Sequence, residues 1–137
     1  MKTRLLLDTC AVFYVTEQEL GAKALEALDE AFDDSIPVRV SPITAWEIGM
    51  LSARGRLPTT APPLHYFDQF VALPGIRLVE LTPSILIASS FLPAPIHRDP
   101  ADRMIIATAR ALDLTIMTRD RLILEYASRG HVRALAC

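Results

Sequence analysis

Short apolar runs and amphipathic stretches alternate along this chain. Leu5 to Leu7, opened by Arg4, is a run with no polar interruption, so Arg4–Leu7 is predicted as a strand buried on both faces. Cys10–Tyr14 follows as a short helix. Glu17–Phe32 places Leu20, Ala24, Ala27 or Leu28, and Ala31 at helical spacing. Val38–Val40 is a second strand. Ser41-Pro42, a capping hydroxyl and then proline at the first helical position, opens a helix to about Ala53. Gly55–Pro63 is a loop, His65–Leu73 a helix and Ile76–Glu80 a strand. Thr82-Pro83 and Asp99-Pro100 repeat the cap-plus-proline signal, for helices through Ser90 and Leu112. Thr115–Met117, Arg121–Ala127 and Val132–Leu135 complete the chain as strand, helix and strand. Strands alternating with helices predict an α/β fold, its mainly parallel sheet covered on both faces. Ligands in such sheets bind beyond the carboxyl ends of the strands.

At 137 residues, 51% of them hydrophobic, the chain is expected to form one domain, residues 1–137, with its own core. No apolar run approaches the ~20 residues of a membrane span, and the N-terminus lacks a cleavable signal pattern. Cys10 and Cys137 are too few for a disulfide framework, so a cytoplasmic location is expected. The net charge of −2 argues against a general nucleic-acid coat. The cations are unequal in kind: only Lys2 and Lys23 are lysines, and the other twelve are arginines, which match phosphate geometry better.

Four acids stand out by position. Asp8 ends the first strand and Asp120 follows the strand at Thr115–Met117; each also suits an N-cap for the helix after it. Glu47 has Ile43, Met50 and Leu51 as its i−4, i+3 and i+4 neighbours. It is either a charge on the core-facing stripe, which is expensive, or a margin residue with packed stem and wet head. Asp102 has Ile105 and Ile106 at i+3 and i+4 and also suits a capping arrangement with Asp99, itself read as the N-cap. One explanation covers all four: a divalent cation neutralises carboxylates that otherwise repel each other. Oxygen ligands without a neighbouring His or Cys favour Mg²⁺, with Mn²⁺ as substitute, over zinc. His65 and His97 are assigned no catalytic part.

At these residues the sequence resembles a PIN-domain ribonuclease, specifically a VapC-like toxin of a type II toxin–antitoxin pair. The segments that carry the likeness are "LLLDTCAVFY", "SPITAWEIGML", "LPAPIHRDPADRMIIATARAL" and "LTIMTRDRLILEYA", in the family's order. The resemblance implies a three-layer α/β/α sandwich and an acidic quartet of Asp8, Glu47, Asp102 and Asp120 holding Mg²⁺ or Mn²⁺. It also implies a hydroxyl, Thr118, orienting a carboxylate. Cys10 departs from the pattern, since relatives often carry His at that position. The implied reaction is endonucleolytic hydrolysis of RNA, and the implied partners are a cognate antitoxin and a second copy of the chain. Homodimers, or heterotetramers and larger assemblies with antitoxin, follow from the same likeness. Arg98, Arg103, Arg119 and Arg121 flank the acids and are candidate phosphate contacts, or else solvated or salt-bridged.

The competing reading is a non-catalytic or receiver-like phosphoacceptor module with an acidic pocket. Such a phosphoacceptor needs a lysine at the end of a late strand, and Lys2 and Lys23 both come far too early.

Overall fold

Leu5, Leu6 and Leu7 are fully buried, and the sheet is built outward from them. Burying each such side chain stabilises the fold by roughly 1.5–3 kcal/mol. The computed structural model describes residues 2–137. The elements in chain order are β1 (Leu5–Leu7), α1 (Thr9–Thr16), α2 (Ala22–Asp33), β2 (Val38–Val40), α3 (Pro42–Ala53) and α4 (Pro63–Val71). They continue as β3 (Ile76–Leu78), α5 (Pro83–Ala88), α6 (Pro100–Leu112), β4 (Thr115–Thr118), α7 (Arg121–Ser128) and β5 (Arg133–Ala136).

The strands lie in the order β3-β2-β1-β4-β5, and every neighbouring pair is parallel. Alternation along β1 divides the core. Leu6 joins Ile116, Ile105, Ile106, Ile123 and Tyr126 on the face covered by α6 and α7. Leu5 and Leu7 join Val38, Val40, Leu28 and Phe70 on the face covered by α2 and α4. The result is the expected three-layer α/β/α sandwich. Helix α3 belongs to both cores, with Ile43 in the first and Ile48 in the second, so it bridges the carboxyl end of the sheet.

From β1 the chain runs outward through β2 to β3, then returns to place β4 on the other side of β1. The strand order therefore reverses between β1 and β4, which opens a crevice above their carboxyl ends.

Most boundaries match the sequence reading, and the departures have local causes. Helix α2 begins at Ala22, not Glu17, because Glu17 closes α1 and Gln18 then turns into the left-handed region at φ 58°. Leu20 still packs on the core, but from the loop rather than from a helix face. Helix α4 starts at Pro63, the last residue of the expected loop, with Pro62 as its N-cap. Strand β5 is shifted by one residue, to Arg133–Ala136.

Gly75, just before β3, has φ +85° and lies so close to Phe32 that an added Cβ would fall 2.7 Å from the ring. Gly75→Ala is expected to destabilise the fold by about 2 kcal/mol, through left-handed strain and displacement of that ring. Urea unfolding measures this, and an unchanged midpoint would contradict it.

Candidate active site

Asp8 follows β1 directly and is only 6% exposed. Its Oδ1 accepts from the Thr9 backbone N–H at 2.8 Å, which caps α1, and its Oδ2 accepts from Thr118 Oγ1 at 2.7 Å. Burial pushes the Asp8 carboxyl up, against the lowering effect of these hydrogen bonds. Thr118 is fully buried at the end of β4, and its Oγ1 accepts in turn from the Asp120 backbone N–H at 2.9 Å. One hydroxyl thus ties together the acids at two adjacent strand ends.

Glu47 hangs from α3 over the same crevice. Thr9 Oγ1 donates to its Oε1 at 2.6 Å and lies 3.0 Å from Thr44 Oγ1. Burial, helped by the charges of Asp8, Asp102 and Asp99, raises the Glu47 carboxyl to about 7. Glu47 is half-buried, with its carboxylate head turned to the crevice.

Asp99 is the N-cap of α6, and its Oδ1 accepts from the N–H groups of Ala101 and Asp102. Asp102 is therefore free for another role in the first turn. Its Oδ2 lies 2.9 Å from His97 Nε2, and burial raises its carboxyl to about 6, with the charges of Asp120, Asp99 and Asp8 adding to the rise. Asp120 caps α7 through Oδ1 alone, accepting from Leu122 and Ile123 N–H at 2.9 and 3.0 Å. Capping and membership of the cluster are compatible, since each uses a different part of the carboxylate. Donor atoms of His97, Asp102 and Asp120 all lie within 4.8 Å of one another.

Asp8, Glu47, Asp102 and Asp120 line one cleft of about 420 Å³, together with Thr9, Cys10 and Phe13. His97, to which the sequence reading gave no part, thus stands beside two of the four acids. The loop before Asp99 folds His97 back over the first turn of α6, and a five-residue spacing across a helix cap carries no periodic signal. Thr9, the second residue absent from the sequence reading, carries one clue: a hydroxyl immediately after a strand-end acid. No Lys or Arg among the described residues is salt-bridged to the four acids. Among the described residues, His97 with Asp102 is the one salt bridge that reaches any of them. Asp8, Glu47 and Asp102, raised by burial and by neighbouring acids and not salt-bridged to any Lys or Arg among the described residues, fit a hard divalent ion such as Mg²⁺ or Mn²⁺.

The flanking arginines differ. Arg98 is exposed beside the cluster, and Arg103, on α6, has a buried Nε with no partner. Arg119 is engaged within the fold: its guanidinium lies 3.5 Å over the Tyr14 ring and donates to the carbonyls of Cys137 and Glu19. Cys10 Sγ lies 3.7 Å from Asp8 Oδ2 and from Thr118 Oγ1, so the departure at this position borders the acids directly.

A family model described as PIN domain matches residues 5–128. Ribonuclease VapC22 of Mycobacterium tuberculosis is 30% identical over 121 residues, spanning 87% of this chain and 88% of that protein. The crystal structure of VapBC2 from Rickettsia felis bound to a promoter DNA fragment matches with TM-score 0.69 at 12% identity, covering 98% of both chains. That of DNA-bound VapBC from Salmonella typhimurium matches with TM-score 0.66 at 17% identity, again covering 98% of both. At these identities the structural matches show the fold.

Proposed function

We propose, from the premise that this chain belongs to the PIN-domain family and to its VapC-like members, that it is a metal-dependent endoribonuclease and the toxin of a toxin–antitoxin pair. The observation that carries this reading is the convergence of Asp8, Glu47, Asp102 and Asp120 on one cleft, with no Lys or Arg salt-bridged to them among the described residues. Such a cleft repels a phosphodiester until a divalent ion reverses its charge.

Mg²⁺ or Mn²⁺, when bound, supplies a Lewis acid for the phosphoryl oxygens and lowers the pKa of water. The protein's share is positional. Asp102 and Asp120 would hold the ion with His97 beside them, and Asp8, its carboxylate fixed by Thr9 and Thr118, would complete the set. Glu47, with its raised pKa, is placed to hold or release a proton near neutrality. No protein nucleophile is needed. Arg98 and Arg103 are the flanking cations suited to substrate phosphates, whereas Arg119 acts chiefly as a structural tie. The partner is an antitoxin whose basic side chain reaches the acids and blocks them by charge-assisted hydrogen bonds. The toxin acts in the cytoplasm as a homodimer, or as a larger complex with antitoxin. No helix among the described residues is long and apolar enough to cross a membrane.

The test uses purified protein, freed of antitoxin, against structured RNAs including transfer RNAs. Cleavage is expected to vanish in EDTA and to return with Mg²⁺ or Mn²⁺, while Ca²⁺ supports little turnover because its looser coordination positions water poorly. Cleavage that persists in EDTA, or in an Asp8→Ala/Asp102→Ala double variant, sinks the proposal. RNA binding without metal-dependent cleavage would mark a binding module instead.

A further inference from the structure

Three arginines lie side by side on one sheet face, outside the acidic cleft. Arg39 of β2 pairs directly with Arg77 of β3, and on its other side pairs with Leu6 of β1. Alternation puts Arg4 on the same face as Leu6, and its Nη1 donates to the carbonyl of Leu112 at the end of α6. Like charges directly opposite on neighbouring strands are destabilising. Burial and the charges of Arg4 and Arg77 pull the Arg39 guanidinium below its usual range. Arg39 Nη1 donates to the Pro37 carbonyl at 3.4 Å, but no carboxylate of the described residues offsets the charge of the three arginines. The salt bridges of the described residues join Lys2 to Asp34, His97 to Asp102 and Arg133 to Asp113, and none includes Arg4, Arg39 or Arg77.

The surroundings narrow the class of ligand. Helix α5 packs on α6, and Arg4 and Arg77 remain exposed while Arg39 is half-buried. Arg77 also borders a separate open cavity of about 500 Å³, which it shares with Phe32, Pro37 and Pro74. A row of guanidinium forks on an exposed sheet face, without carboxylate partners, suits successive phosphates, as an RNA backbone presents them.

We propose that Arg4, Arg39 and Arg77 form an RNA-backbone-binding row that holds substrate outside the acidic cleft. The proposal rests on the nuclease reading and adds to it a source of affinity that the cleft, being acidic, cannot provide. The shared chemistry is phosphate, so free phosphate and RNA must be told apart.

The experiment is fluorescence anisotropy of a labelled single-stranded oligoribonucleotide in EDTA, where the RNA stays intact, across a range of salt. For Arg39→Gln/Arg77→Gln, affinity is expected to fall at least tenfold and the log–log salt slope to flatten by about 1.4, or ~0.7 for each phosphate no longer neutralised. Thermal stability should hold or rise, because the like-charge pair is gone. Arg77→Gln alone, on an exposed edge strand, gives half the slope change and serves if the double variant folds poorly. Unchanged affinity and slope in the single and double variants overturn the row while leaving the nuclease reading intact. A wild-type protein that neither binds nor cleaves RNA overturns both. Saturable binding of inorganic phosphate that does not displace RNA, or displacement of RNA by polyglutamate at equal charge, overturns the RNA assignment in favour of a small anion or an acidic peptide.

Discussion

Asp102→Asn is expected to cut RNA hydrolysis by on the order of a thousandfold while leaving the metal-free protein as stable or more so. The two effects come from one cause. In the absence of a cation, the Asp102 carboxyl is raised to about 6 by burial and by the neighbouring acids, so its ionised form is disfavoured even in the first turn of α6. Asparagine keeps the shape and the contact to His97 but removes that charge. Loss of turnover together with an equal or higher melting temperature at pH 8 is the expected pair of results. A variant that loses activity only because it unfolds, or that stays active, counts against the metal site.

The second large effect is a steep dependence of metal affinity on pH. Glu47, at about 7, and Asp102, at about 6, are both raised above their ordinary values of 4.5 and 3.8. In the metal-free protein the native state therefore binds more protons than the unfolded chain between these limits. Stability contributed by the two protonated groups is greatest at acid pH, falls as pH rises, and levels off above about 7. Binding of Mg²⁺ or Mn²⁺ runs the other way, because both protons must leave first. Affinity should rise on the order of a thousandfold from pH 5 to 8, with the slope against pH easing between 6 and 7. Calorimetry in buffers of different ionisation enthalpy counts the protons released. A pH-independent affinity would show that neither acid is a ligand.

How far the site is legible in the sequence depends on where each residue's signal lies. Asp8 and Asp120 are readable because a carboxylate at a strand end breaks a local pattern, and Glu47 and Asp102 because they interrupt apolar helix stripes. All four do share one cleft. His97 and Thr9 are not readable as partners, since the contacts that matter, His97 to Asp102 across a loop and Thr9 to Glu47 across 38 positions, depend on tertiary approach. Arg119 shows the converse. Its sequence position beside Asp120 suggests a phosphate contact, yet the fold brings Tyr14 beneath its guanidinium and two carbonyls within its reach. In the fold itself, proline after a capping residue marks the starts of α3, α5 and α6 correctly. The start of α2 escapes the pattern because the turn at Gln18 is made by a residue without the usual glycine or asparagine preference for positive φ.

The sheet order has a consequence for timing during synthesis. Asp8 leaves the ribosome more than a hundred residues before its hydroxyl partner Thr118 and its strand neighbour β4. Until β4 docks, the Asp8 carboxylate has neither its anchor nor its companions from α6 and α7. A chain still attached to the ribosome and not yet extended through β4 therefore has no assembled cleft. Whatever this cleft does begins only once β4 has been made and has docked, which gives a partner made at the same time the opportunity to arrive first.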